Sequence, residues 1–160
     1  LEYGAKSYED HKKGLCTYEV EQVILAIVVT TGIASIFLTK DYTPDYNSGL
    51  AHAIFYALTS YPVIEKNHLH GEIVGFGVLL ALLVDGQDEE FEKIYLLNKS
   101  ISLPVSLDEI EISKEQWEES TDRIPDMSDV AHYPYKVTKE MLKNAMARLE
   151  EKVRKDIHVR

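Results

Sequence analysis

His52 and His70 are the residues whose type and spacing speak most directly of chemistry. They lie in Ser48-Gly49-Leu50-Ala51-His52-Ala53-Ile54 and His68-Leu69-His70-Gly71-Glu72-Ile73-Val74-Gly75-Phe76-Gly77. Each opens an apolar, helix-like segment, where a buried basic ring needs a partner. They are eighteen residues apart with Pro62 between them, so one straight helix cannot carry both. Two consecutive helices packed side by side can, and each then fixes its ring rigidly toward a shared metal. Neutral imidazole suits Zn²⁺ or Fe²⁺, and a hard carboxylate usually completes such a site. A histidine on an apolar face also serves as a core residue bonded to a carbonyl, and the spacing alone leaves both readings standing.

The neighbouring polar residues each carry two readings. Glu72 could orient a ligand ring from behind, or simply be an acid in a helix's first turn, where the dipole favours it. His68 could reach the same pocket, though a loop position predicts a solvated ring. Gly75 and Gly77 follow no strand and are no phosphate loop; close helix packing accounts for them. Cys16 has only Lys12 and Lys13 as basic neighbours, too little to activate a thiolate. Asp85, Asp88, Glu89, Glu90 and Glu92 lack the spacing of a hard-cation loop, and read as a solvated face. The same holds for Glu115, Glu118 and Glu119. Tyr133-Pro134-Tyr135 is a stiff aromatic connector that packs on the core or lines a pocket.

The elements that must position these groups are helical. Val20, Val23, Ile24, Ile27, Val28, Ile33, Ile36 and Phe37 keep a helical spacing, which predicts one long helix over 18–39. Its uncharged stretch, Val23 to Leu38, is sixteen residues where a membrane span needs about 20. Thr30, Thr31, Gly32 and Ser35 interrupt it, so a helix buried on most sides is expected. A turn-rich break, Asp41 to Gly49, precedes a helix capped by Asn47 or Ser48 that stops before Pro62. A loop over 62–69 leads to a second apolar helix over 71–84, closed by Asp85-Gly86. Amphipathic helices follow over 89–98, briefly after Ser106 with Glu109 in a capping-box pattern, from Ser113 to Pro125, and after Thr138. The expected fold is all-α, a multi-helix bundle of about seven helices.

The totals bound the partners. With 160 residues, 45% of them apolar, the chain can bury one real core. A net charge of −10 disfavours nucleic acid and anionic membranes. One cysteine fits a reducing compartment, so a cytoplasmic location is expected. Leu1-Glu2-Tyr3 reads as the middle of an amphipathic helix, with no start Met and no signal peptide before it, as expected of a piece of a longer protein or of a processed chain.

At Gly49-Leu50-Ala51-His52-Ala53-Ile54 and His70-Gly71-Glu72-x-Val74-x-Phe76-Gly77 the chain resembles the C-terminal helical domain of the glycerol dehydrogenase family. That family lies within the iron-containing, or metal-dependent, alcohol dehydrogenases, with a dehydroquinate synthase-like fold. Leu58-Thr59 before Pro62, Leu103-Pro104-Val105-Ser106-Leu107 and Tyr133-Pro134-Tyr135-x-Val137-Thr138 look like family features in the same order. The resemblance covers nearly the whole chain. It implies that residues 1–160 form a single metal-binding helical domain lacking the N-terminal α/β domain that holds NAD. It also implies that His52 and His70 are two ligands of the catalytic metal, Zn²⁺ or Fe²⁺. A third ligand, an Asp, would fall just before Leu1. The implied chemistry is Lewis-acid activation of the substrate hydroxyl with hydride transfer to the nicotinamide, and the chain alone should be inactive. Phe55-Tyr56 stands where the glycerol enzymes carry His-Asn, and Gly49 stands alone where they carry Gly-Gly. Glycerol itself is therefore less fitting than another polyol, an alcohol or a larger hydroxy acid.

Two further functions compete. A dehydroquinate synthase-like, NAD-dependent lyase would share the His-Gly-Glu motif, but Phe55 stands where that family has an acid, and no basic cluster awaits a phosphate. A non-catalytic helical interaction module would keep the fold without the chemistry. A homo-oligomer is compatible with either enzymatic reading.

Overall fold

The two most apolar segments between the histidines and Asp85 become the centre of the molecule. In the computed structural model, which describes residues 2–38 and 48–158, they form α4 (Leu50–Leu58) and α6 (His70–Val84). Between them Pro62 opens a short helix, α5 (Pro62–Asn67), where a loop is expected from sequence. Proline at the first helical position loses no intrahelical bond and brings its φ ready set, so Pro62 begins α5 rather than simply bounding α4, which already ends at Leu58. Leu50, Ala53, Ile54, Ala57 and Leu58 of α4 are buried against Ile73, Phe76, Leu79 and Leu80 of α6. At about 1.5–3 kcal/mol for each fully buried large side chain, this pair is the main source of stability.

Gly77 sets how closely the pair approaches. A Cβ there would stand 2.7 Å from the Ala51 carbonyl oxygen and 2.9 Å from its Cα, so only glycine fits. Close packing is thus the role of Gly77; Gly75 faces Leu103 at ordinary contact distance. The helix ends at Asp85, and Gly86 takes the left-handed conformation, φ 69°, that closes such termini at no steric cost.

The remaining elements surround this pair. Helix α7 (Asp88–Ser100) follows the Gly86 turn. A single 3₁₀ turn, Asp108–Ile110, fulfils the short element expected after Ser106: the Ser106 hydroxyl accepts from the Glu109 N–H, and Glu109 accepts from the Val105 N–H at 2.6 Å. Helix α8 (Lys114–Arg123) starts on a reciprocal Ser113–Gln116 capping box. Two 3₁₀ turns, Ile124–Asp126 and Ser128–Val130, lead to α9 (Lys139–His158). Its first turn is capped by Thr138, and Leu142, Ala145, Met146 and Leu149 enter the core. Among the described residues no strand occurs; the fold is all-α, as its periodicity predicts.

The N-terminal part departs from expectation. Helix α1 (Gly4–Lys12) turns into α2 (Tyr18–Leu25), which runs through a π-helical segment, Ala26–Thr31, into α3 (Gly32–Leu38). The single long helix is there, but it is not buried. Only 6% of its most apolar window is covered, and Ile36 and Phe37 are 70% and 71% exposed. Within the described residues, Tyr18–Phe37 is long and apolar enough to cross a membrane by length and composition. The expected turn over 41–47, with its candidate cap Asn47, lies outside the described residues.

Candidate metal centre

The antiparallel course of α4 and α6 follows from two contacts: Ala51 meets Gly77, and one turn later on α4 Phe55 meets His70. His52, between them in sequence, is thereby carried toward the first turn of α6. The His52 and His70 ring centroids are 5.6 Å apart, inclined at 43°. The edge-on Phe55 ring lies 4.3 Å from His70, and Tyr56 sits beside His52 at 6.4 Å. The structure thus brings together the two histidines singled out by sequence. It does not bury them as expected: His52 is half-buried and His70 is exposed.

The surroundings of His52 favour its neutral form. Desolvation lowers its pKa below the ordinary imidazole value, the neighbouring His70 lowers it further, and Asp129 partly opposes both. A neutral imidazole is the metal-binding form. Asp129 belongs to the Ser128–Val130 turn that packs on α4. Nothing in the sequence flagged it, because only the fold carries it across about seventy-seven residues to His52.

The start of α4 is held from the aromatic connector. Tyr133 lies against Gly49, and its hydroxyl accepts a hydrogen bond from the Leu50 N–H. The Tyr135 hydroxyl donates to Asp85. Tyr133-Pro134-Tyr135 therefore packs on the core, one of its two expected roles.

At the start of α6, Glu72 accepts a hydrogen bond from the Leu69 N–H at 3.0 Å. This is the first-turn role among its two expectations. His68 is not solvated: its side chain is 11% exposed, with Nδ1 3.5 Å from Glu72 Oε2 and Nε2 3.4 Å from Glu111 Oε2. Cys16 is exposed. The acidic stretch after Asp85 is spent on separate partners, Asp88 on Arg148, Glu90 on Lys93 and Glu92 on Lys152. Among the described residues no group of three or more His, Cys, Asp and Glu is placed to hold a metal.

The separation of the two rings is compatible with a shared metal. With Zn–N near 2.0–2.1 Å and tetrahedral angles, two imidazole centroids on one ion stand roughly 5–5.5 Å apart, close to the observed 5.6 Å. A third protein ligand would have to come from beyond the described residues.

No family model matches the chain. Over 119 residues, 72% of its length, it is 29% identical to a glycerol dehydrogenase of Escherichia coli O6:H1. That stretch spans 29% of the enzyme's length. In sequence, then, this all-α chain is similar to glycerol dehydrogenase over nearly three quarters of its residues.

Proposed function

We propose that the chain is the metal-supplying helical domain of an NAD-dependent alcohol or polyol dehydrogenase, with His52 and His70 as metal ligands. The observation that carries this reading is the meeting of the two imidazoles across α4 and α6 at 5.6 Å. Similarity to a dehydrogenase supports it. Zn²⁺ or Fe²⁺, when bound, would supply a Lewis acid for the substrate hydroxyl, and NAD, held by a separate N-terminal domain, would accept the hydride.

The chain's own residues bind and orient. His52, whose surroundings favour its neutral form, offers in that form a lone pair without first losing a proton. His70, at the first position of α6, offers its ring from the opposite side. Phe55 and Tyr56 give the site an aromatic wall, which favours an alcohol or hydroxy acid with an apolar portion over a small polyol. A cytoplasmic enzyme acting on a small molecule fits this assignment.

The test is a titration of the chain with Co²⁺, whose visible absorption reports imidazole ligation, alongside ¹H–¹⁵N spectra of the histidine rings. One equivalent should perturb His52 and His70 together, and His52→Ala or His70→Ala should each weaken binding by at least about tenfold. Undiminished binding in the double variant would sink the assignment.

A further inference from the structure

A cluster of polar side chains encloses the residue two places before His70 and buries one of its ring nitrogens. The His68 ring, 11% exposed, lies between two carboxylates on different elements, Glu72 Oε2 at 3.5 Å and Glu111 Oε2 at 3.4 Å. Its Nε2 is buried without a hydrogen bond. Asn67 donates to the same Glu111 oxygen at 2.7 Å. Glu72 Oε2 also holds the Leu69 N–H, in the peptide that joins His68 to Leu69, one residue before His70.

Glu111 is well anchored. It takes the left-handed conformation, φ 56°, its N–H donates to the Asp108 carbonyl, and the flanking Ile110 and Ile112 are buried. A continuous line of contacts therefore runs from the core, through Glu111, His68 and Glu72, to the backbone at Leu69. Contacts of this kind contribute little net stability once desolvation is counted, but they define geometry. His70 needs such definition, because its own ring is exposed and rests on Phe55 by an edge.

We propose that His68 is a positioning residue: wedged between Glu72 and Glu111, it fixes the first turn of α6 so that the His70 ring faces His52. Its importance to metal binding rests on the function proposed above; its effect on His70 does not. Replacement of His68 should leave the helical bundle intact and loosen the His70 ring.

The experiment compares the chain with His68→Ala, His68→Gln and Glu111→Gln. The first readout is the nuclear Overhauser contact between the Phe55 and His70 rings; the second is Co²⁺ affinity. His68→Ala and Glu111→Gln should lose most of the ring contact and weaken Co²⁺ by about 10–100-fold. His68→Gln, whose side-chain amide offers the neighbouring carboxylates a polar partner, should restore part of both. Glu111 is largely exposed, so Glu111→Gln keeps the test valid should His68→Ala unfold. An unchanged Phe55–His70 contact in a folded His68→Ala or in Glu111→Gln overturns the proposal. A parent chain that takes no Co²⁺ at His52 and His70 overturns the metal assignment instead, and the ring contact alone then decides the role of His68.

Discussion

At the scale of single residues, the polar groups that matter most are those that finish backbone ends. Tyr133 is one: its hydroxyl accepts the Leu50 N–H at the start of α4, two residues before His52. Tyr133→Phe leaves that donor without its partner and should lower stability by about 1 kcal/mol, read from urea unfolding. Asp10 is another. It is 2% exposed, receives hydrogen bonds from Lys6 and Thr17, and these hold its carboxyl below the usual range against an opposing desolvation. A depressed carboxyl stabilises the fold above its unfolded pKa of about 3.9 and loses that contribution as pH falls through the folded value. Melting temperatures of the chain and of Asp10→Asn should therefore differ near neutrality and converge below about pH 4; a constant gap would refute the linkage. The types and spacing of His52 and His70 made them legible in sequence. Their exposure was not, because it depends on what covers the α4–α6 seam. His68 was misread as solvated, since one of the two carboxylates that enclose it, Glu111, is forty-three positions further on.

Among the elements, periodicity and punctuation carried most of the information. Hydrophobic periodicity located α4, α6 and α9, and Ser113, Thr138 and Asp85-Gly86 marked the starts of α8 and α9 and the end of α6, as the cap geometry shows. The segment over 62–67 was missed because six residues give too short a pattern to show a helical period. The sharpest consequence at this scale concerns Gly77. With the Ala51 backbone occupying the space of a Cβ, Gly77→Ala must push α4 away from α6. Overpacking of this kind costs about 1–3 kcal/mol, and the displaced helix carries His52 with it. Calorimetry should show the lower stability, and the Phe55–His70 ring contact should weaken. Gly75→Ala, which meets only Leu103 and Asn98 side-chain atoms at 3.4 Å or more, should do neither. Equal behaviour of the two variants would separate the α4–α6 approach from the geometry of the histidine pair.

For the molecule as a whole, the decisive feature is the uncovered helix Tyr18–Phe37. An apolar run without charge was expected to lie in a core, because water around such a helix is costly. Instead Ile24, Leu25, Ile27, Val28, Ile33, Ile36 and Phe37 all face outward. They surround the helix rather than form one stripe, and together expose on the order of 1,000 Å² of apolar surface, beyond the roughly 300–600 Å² of a typical largest patch. Periodicity could reveal that these residues form a helix, but not what lies against it, since burial is a property of the assembled fold. The physical consequence is association driven by area. The chain in dilute buffer should bind an environment-sensitive dye such as ANS and sediment as species that grow with concentration. Val28→Glu with Ile36→Glu places two charges on that surface at no cost to the α4–α6 core, to which neither residue contributes. This double variant should lose most of the dye binding and remain monomeric across the same concentrations, with the His52 and His70 ring signals unchanged. If the ring signals shift with it, the long helix reaches the histidine pair, and the two regions act as one unit.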